Sequence, residues 1–415
     1  MPGLFFIIFY RNHTILLLFV LHYTMTYDHF IRGYIIMKVT IAIDSLKGSL
    51  SSLEAGHAIE AGIKNVYPDA EVFVRPLADG GEGTVEALTI GMGGELETIT
   101  VTGPHGRPVS CQYGIIKETN TAIMEMATAA GITLVSGEER NPLKTTTYGV
   151  GEMILDAIRK GCRRFIVGIG GSATNDGGIG MLQALGYDFL NADGQPIPHC
   201  GAGLEFLTSI SADHVIPELA ECSFKIACDV TNPLCGPMGA SAIYGPQKGA
   251  TPEIVRMMDG WLANYAQLAT SVNPNADAEF PGTGAAGGLG FAFSVFTNAV
   301  LESGISIVLE ETKLEDFVKD ADIVITGEGR LDAQTVMGKA PSGVANIAKK
   351  YGKTVLAFAG AVTEDAIRCN EHGIDAFFPI LRGVVSLDEA MDPEHARKNM
   401  TAAVEQAFRL IKAVR

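Results

Sequence analysis

The stretch MKVTIAIDSLKGSLSSLEAGHAIEAGIKNVYPDAEVFVRP, residues 37–76, decides the fold. Val39 to Ile43 is a β-branched run of strand length, Leu50 to Val66 repeats apolar residues at the helical period, and Ala70 to Pro76 returns to strand texture. Strand, amphipathic helix and strand at this spacing make a βαβ unit, which predicts parallel pairing. The texture recurs far down the chain. Asp322 to Thr326, Thr354 to Ala359 and Asp375 to Pro379 read as buried strands, each followed by a glycine-containing turn or a helical stretch. The two ends are therefore expected to share one parallel sheet.

Between them the pattern differs. Leu96 to Cys111 and Gly186 to Pro198 read as hairpins around Gly-Pro-His-Gly and Asn-Ala-Asp-Gly turns, beside helical stretches at 148–160 and 252–270. The expected fold class is α/β, with a parallel-sheet domain built from both chain ends (37–80 and 290–415) and a second α/β domain inserted at 81–289. Residues 1–36 do not share this texture. Their apolar run LFFIIFYRNHTILLLFVLHYT (residues 4–24) is broken by Arg11, Asn12 and His13, and a central Arg costs about 2.5–3.5 kcal/mol of membrane insertion. It also lacks the basic start and small-residue cleavage site of a signal peptide. We expect a non-native or unstructured extension ahead of a start at Met37, with a membrane anchor as the rival reading.

Composition bounds the function. With 415 residues and a net charge of −16, the chain is large enough for two domains and too acidic for a generic nucleic-acid binder. A hydrophobic fraction of 47% against 19% charged residues excludes a largely disordered chain. Seven scattered cysteines without a Cys-x-x-Cys pair point to reduced thiols and a cytoplasmic protein. No two histidines stand three or four residues apart, so any metal should be oxygen-ligated.

The chemistry-bearing motifs are turns at strand ends. Arg164 to Ile169 feeds Gly168-Ile-Gly-Gly-Ser-Ala-Thr-Asn-Asp-Gly-Gly178 and then the helical stretch Gly180 to Leu185, an arrangement that presents backbone N–H groups to phosphate oxygens. Gly168-x-Gly170-x-x-Ala173, with Asp188 twenty residues on, also matches a dinucleotide fingerprint and keeps an NAD-dependent dehydrogenase open. Against it stands the polar insertion Thr174-Asn175-Asp176, since an Asp among glycines suits a metal or a hydroxyl proton. Asp79-Gly-Gly-Glu-Gly-Thr84 sets two carboxylates at a helix start, as caps or as ligand contacts. Asp322 to Asp332 ends a buried strand with Glu328, Arg330 and Asp332 on the loop and Gln334 and Lys339 close behind, a set that suits Mg²⁺ and phosphoryl groups or a salt-bridge cluster. Asp44-Ser-Leu-Lys-Gly-Ser49, Asp229-Val-Thr-Asn-Pro-Leu234, Pro246-Gln-Lys-Gly249 and Gly284-Ala-Ala-Gly-Gly-Leu-Gly290 add further strand-end or glycine-rich candidates. Gly338-Lys339 is followed by Ala340, so no P-loop exists, and kinase catalytic-loop and nucleophile-elbow sequences are absent as well.

Together these motifs resemble the glycerate kinase family, class I, from Met37 to Arg415. Asp44-Ser-Leu-Lys-Gly-Ser, Ala78-Asp-Gly-Gly-Glu-Gly-Thr, Gly168 to Gly178, Asn232-Pro-Leu, Pro246-Gln-Lys-Gly-Ala, Gly284-Ala-Ala-Gly-Gly and Thr326-Gly-Glu-Gly-Arg-Leu-Asp occur in that family's order. Leu46 departs from the Phe expected there, and residues 1–36 have no counterpart. The resemblance implies a Rossmann-like domain with a second, smaller α/β domain inserted in it, and phosphorylation of D-glycerate by ATP with Mg²⁺, giving 2-phospho-D-glycerate, with 3-phosphoglycerate as the alternative product; a non-catalytic nucleotide sensor is a separate rival. Partners are then small molecules, with no nucleic acid and no membrane role.

On that reading Asp176 is the base or hydroxyl orienter, with Asp229 as its competitor. Lys47 and Lys248 are cations near phosphate or the glycerate carboxylate, and Glu328 and Asp332 are the Mg²⁺ ligands. Asp44, Ser45, Asp79, Gly80, Gly81, Gly170, Gly171, Ser172, Asn175, Asn232, Gly287, Arg330 and Lys339 complete the substrate and phosphate set. Because a net −16 repels anionic substrates at long range, Lys47, Lys248, Arg330 and Lys339 are expected to converge.

Overall fold

The computed structural model describes residues 36–78 and 83–414, so the expectations for the first 35 residues and for Asp79, Gly80 and Gly81 lie outside the described residues. β1 (Lys38–Ile41) leads to α1 (Ser52–Lys64). A capping box fixes that helix start: the Ser51 hydroxyl accepts from the Glu54 N–H, and the Ser51 N–H donates to the Glu54 carboxylate. β2 (Glu71–Val74) closes the unit. The chain continues through α2 (Thr84–Gly91), β3 (Glu95–Thr102), β4 (Pro108–Ile116), β5 (Thr121–Glu125), α3 (Tyr148–Arg159), β6 (Arg164–Gly168), α4 (Ile179–Ala184), β7 (Asp188–Leu190), β8 (Ser209–Ser211) and β9 (Ser223–Ala227). Next come α5 (Ala240–Tyr244), α6 (Pro252–Ala269), α7 (Ala285–Phe296), β10 (Ala299–Glu302) and α8 (Gly304–Glu311). The chain ends with β11 (Ile323–Leu331), α9 (Ala340–Lys350), β12 (Thr354–Val362), β13 (Ala376–Pro379) and α10 (Pro393–Val414).

Both ends of the chain do share a sheet. Its order is β13-β12-β11-β1-β2 with every pair parallel. Counted within the sheet this is 2-1-3-4-5, which reverses direction between β1 and β11, the position where open α/β sheets bind ligands. The second sheet runs β10-β9-β6-β5-β4-β3, parallel from β10 to β5 and antiparallel through β4 and β3.

Three expectations change. Residue 289 falls inside α7, and β10 still pairs with β9, so the chain leaves the second sheet only after residue 302. The inserted part, expected to be the smaller, carries β3 to β10, eight of the thirteen strands among the described residues. The hairpin expected over Gly186 to Pro198 reduces to a single bridge between Leu190 and Pro196; the partner of β7 is β8.

Alternation along the strands sorts the core into layers. Val39, Ile41, Ile43, Ile325 and Phe358 pack on Ala55 and Ile59 of α1 and on Met400, Val404 and Phe408 of α10. On the opposite face Ala42, Val324, Val355 and Ala357 pack with Ile305 and Val308 of α8 and Val344 of α9, and this cluster continues into Ile116, Ile123, Ile166 and Ala227 of the second sheet. The far face of that sheet buries Met124, Phe165, Val167 and Phe224 under α3, α6 and α7. Lys225 on β9 and Arg164 on β6 reach Glu311 of α8 at 2.8 and 3.5 Å, so helices and charges alike tie the two sheets together.

Candidate active site

The carboxyl ends of β1 and β11 open onto a cavity of about 520 Å³, and those of β6 and β9 onto one of about 350 Å³. Lys47, exposed on the loop after β1, lines both. The two cavities therefore meet at a cation.

The smaller cavity is walled by the turn Gly170-Gly171-Ser172, by Asp229 and Val230 after β9, by Tyr244 and Gln247, and by Ala285 and Ala286 at the start of α7. Asp229 Oδ1 accepts from the Gly304 N–H at 3.0 Å, which anchors the carboxylate at the start of α8. Asn232 does not line the cavity. Its Oδ1 accepts from the Tyr244 hydroxyl at 2.6 Å and its Nδ2 donates to the Met238 carbonyl, so it holds the tyrosine that does. Lys248 is 2% exposed. Its Nζ donates to Ser172 Oγ at 2.7 Å and to the Thr174 carbonyl at 2.5 Å, and burial brings its pKa down to about 7 against the opposing pull of Asp176.

Asp176 stands elsewhere than its expected role requires. It is fully buried and outside the lining of both cavities. Its carboxylate accepts from the Thr147 N–H and hydroxyl, each at 2.8 Å, and from the Gly178 N–H at 3.2 Å. Burial pushes its pKa up, and these donors pull it back. The geometry is that of a clamp that ties the glycine-rich turn to the start of α3, with its oxygens already engaged. Asn175 is buried beside it, donating to Ser241 Oγ at 2.9 Å, and also faces away from the cavities. Gly287 is a packing position, since its carbonyl accepts from the Gly177 N–H at 2.9 Å.

The larger cavity is lined by the polar residues Asp44, Ser45, Ser49, Glu328, Arg330, Asp332 and Lys339 and by the apolar residues Leu46, Ile380, Leu387 and Met391. Glu328 accepts from the Thr335 hydroxyl at 2.6 Å and lies 3.5 Å from Lys339 Nζ, while Asp332 lies 3.8 Å from the same ammonium and 3.3 Å from Arg330 Nε. Burial raises the Glu328 pKa, opposed by Thr335 and Lys339. The four expected cations are thus distributed along the joined cavities, with Lys248 buried in the wall of the smaller one, Lys47 at the junction, and Arg330 and Lys339 on the larger one. Asp188, the acid of the dinucleotide fingerprint, pairs with His214 at 2.7 Å outside both cavities, and the second sheet does not reverse at β6. The NAD reading loses the acidic residue that completed its fingerprint.

Sequence reasoning missed Tyr244 and Gln247, although Gln247 stands inside a quoted motif. It also missed the apolar wall of Ile380, Leu387 and Met391, which carries no motif at all. Among the described residues no three His, Cys, Asp or Glu side chains converge as a metal cluster, and no helix is long and apolar enough to cross a membrane.

Strand ends that open a glycine-rich turn, carboxylates and several cations onto joined cavities define an enzyme for small anionic substrates. Residues 39–412 match the glycerate kinase family. The chain is 47% identical to the glycerate kinase of Haemophilus influenzae over 90% of this chain and 99% of that protein. It is 48% identical to the glycerate 2-kinase of Escherichia coli over 85% and 93%. A crystal structure from Salmonella typhimurium LT2, provisionally named glycerate kinase 2, superposes with a TM-score of 0.85 at 46% identity, covering 91% of this chain and 99% of that one. The chain belongs to the glycerate kinase family and is a kinase.

Proposed function

We propose that this kinase transfers the γ-phosphoryl group of ATP to the C2 hydroxyl of D-glycerate, giving 2-phospho-D-glycerate. The observation that carries the reading is the meeting of the two cavities at Lys47. The 48% identity to a glycerate 2-kinase supports the position of transfer. A lining that combines apolar Leu46, Ile380, Leu387 and Met391 with a charged cluster suits a nucleotide, whose base is flat and apolar and whose phosphates are anionic. The smaller cavity suits the hydroxy acid.

Phosphoryl transfer to an alcohol needs alignment, charge neutralisation and a proton acceptor, with little covalent work for the protein. Asp229, on the cavity wall, orients the glycerate hydroxyl and accepts its proton. Lys47 at the junction neutralises charge between donor and acceptor. The N–H groups of Gly170 and Gly171 hold anionic oxygens. Glu328 and Asp332 fit a Mg²⁺ ion: their hard carboxylate oxygens lie around one shared ammonium, and Mg²⁺ is commonly held by one or two carboxylates together with substrate phosphates and water. When bound, the ion supplies Lewis-acid stabilisation of phosphate charge. Asp44 and Ser45, lining the same cavity, support these groups from the β1 side.

Strand pairing supports division into one unit of residues 37–80 and about 303–415 and an insertion between. Seven free cysteines among the described residues accord with the cytoplasm as the working compartment. Incubation with Mg-ATP and D-glycerate, read by phosphorus NMR, tests the reading: 2-phosphoglycerate is expected, 3-phosphoglycerate moves the transfer to C3, and no phosphoester removes the assignment.

A further inference from the structure

Lys248 ends the short turn Pro246–Lys248 and is buried against the glycine-rich turn that walls the smaller cavity. Its ammonium donates to Ser172 Oγ at 2.7 Å and to the Thr174 carbonyl at 2.5 Å, so it grips the turn at two points. An ammonium has donors and no acceptor, whereas a serine hydroxyl can accept and also donate one proton. With Lys248 donating to Ser172 Oγ, the serine proton cannot return along that bond. Ser172 is 7% exposed, and its small exposed surface faces the cavity that it lines.

We infer that Lys248 is a positioning residue that, through Ser172, presents a hydroxyl donor to an anionic oxygen, carboxylate or phosphoryl, of the substrate in the smaller cavity. The inference rests on the proposed function for its ligand and goes beyond it in assigning the donor and the group behind it. Lys248 lines the same cavity but is only 2% exposed, and with its ammonium committed to Ser172 and the Thr174 carbonyl it acts in this scheme through Ser172. Its charge sits in the cavity wall, where burial limits screening. The charged and titratable groups around it are Asp176 on the clamped turn, Asp229, Lys47, Cys228 and Tyr244 on the walls of the cavity, and Arg140, which donates to the Gln247 carbonyl. Because burial brings Lys248 down to about 7, its cation is being lost as pH rises through neutrality. An anion in the cavity then meets a weaker field, and its KM rises.

The test is steady-state kinetics of the full chain and of Ser172→Ala, Ser172→Thr, Lys248→Met and the Ser172→Ala/Lys248→Met double variant, with Mg-ATP and D-glycerate varied in turn. Thermal unfolding of each variant checks its fold. Ser172→Ala is expected to raise KM for one of the two substrates about tenfold with a smaller change in kcat, as for loss of a charge-assisted hydrogen bond. The substrate whose KM moves identifies the anionic oxygen. Ser172→Thr, which keeps the hydroxyl, recovers most of the loss. The double variant matches the worse single variant, and the rise of that KM between about pH 6 and pH 9 disappears in Lys248→Met. The inference is overturned if Ser172→Ala leaves both KM values within about twofold of the parent, or if the two single effects multiply in the double variant. Should Lys248→Met fail to fold, the comparison of Ser172→Ala with Ser172→Thr decides. A parent chain that does not phosphorylate D-glycerate overturns the underlying functional reading, whereas an active parent with an indifferent Ser172→Ala overturns this inference alone.

Discussion

Asp176 and Asp229 both follow a strand, yet one is a clamp and the other a wall of the cavity. Asp176 spends its oxygens on Thr147 and Gly178 inside the protein. Asp176→Asn replaces an acceptor with a group that is half donor opposite N–H and O–H donors, and should cost about 1–3 kcal/mol of stability, measured by urea unfolding. Asp229→Asn should instead lower kcat about 10²–10⁴-fold while leaving KM for glycerate and the unfolding midpoint nearly unchanged; retained turnover would remove Asp229 as the proton acceptor. Lys248 gives a third expectation, on stability against pH. Its folded pKa of about 7 lies below the ordinary lysine value of 10.5, so between those limits the unfolded chain binds more protons than the native one. The cost of burying the ammonium is absent above the upper limit and complete below the lower one, so stability falls as pH is lowered through that window. Lys248→Met should flatten that slope in urea titrations across the range; a slope that persists would assign it to other groups. The difference between the two aspartates was not legible in the sequence, because an Asp among glycines reads alike whether the neighbouring amides point inward or toward a ligand.

At the scale of elements, one boundary was missed at the head of α7. Ala286, Gly287 and Gly288 take φ values of 52°, 70° and 93°, a left-handed turn that breaks the helical path before α7 proceeds. No local signal in the sequence marks where the insertion ends, and residue 289 lies within the helix that continues past this turn. In the fold the turn packs against the other glycine-rich turn, and a Cβ on Gly287 would lie 2.1 Å from the Thr174 carbonyl oxygen. Gly287→Ala should therefore destabilise by more than the ~1 kcal/mol of a left-handed alanine alone, and should raise KM because Ser172 lies on the displaced turn; an unchanged urea midpoint would contradict the packing. The β1-α1-β2 unit and the late strands β11 to β13 were legible, since their β-branched runs and helical period are local signals. The pairing of β7 was not: Asn191-Ala-Asp-Gly forms the turn, but its register is decided by Ser209–Ser211, which no local pattern links to it.

The whole molecule is bound by the cluster that runs from Val324 and Val355 of the first sheet, through Ile305 and Val308 of α8, to Ile123, Ile166 and Ala227 of the second. A hinge that separated the sheets would expose this apolar surface at roughly 25 cal/mol per Å², and would also break the bonds of Lys225 to Glu310 and Glu311 at 2.9 and 2.8 Å. Wide opening of the cleft between the sheets is therefore disfavoured, and closure over substrates falls to segments that rim the larger cavity, such as the short helix Leu387–Met391. The same continuity makes unfolding cooperative across both sheets, although chains of this size often unfold domain by domain. Trp261, the single tryptophan, packs against the core of the second sheet and reports that part alone. Far-UV circular dichroism reports all strands and helices. Urea titrations followed by the two probes should coincide in midpoint and steepness. A tryptophan transition separated from the dichroism transition would show that the sheets unfold independently, and the cleft would then be free to open by movement of whole domains.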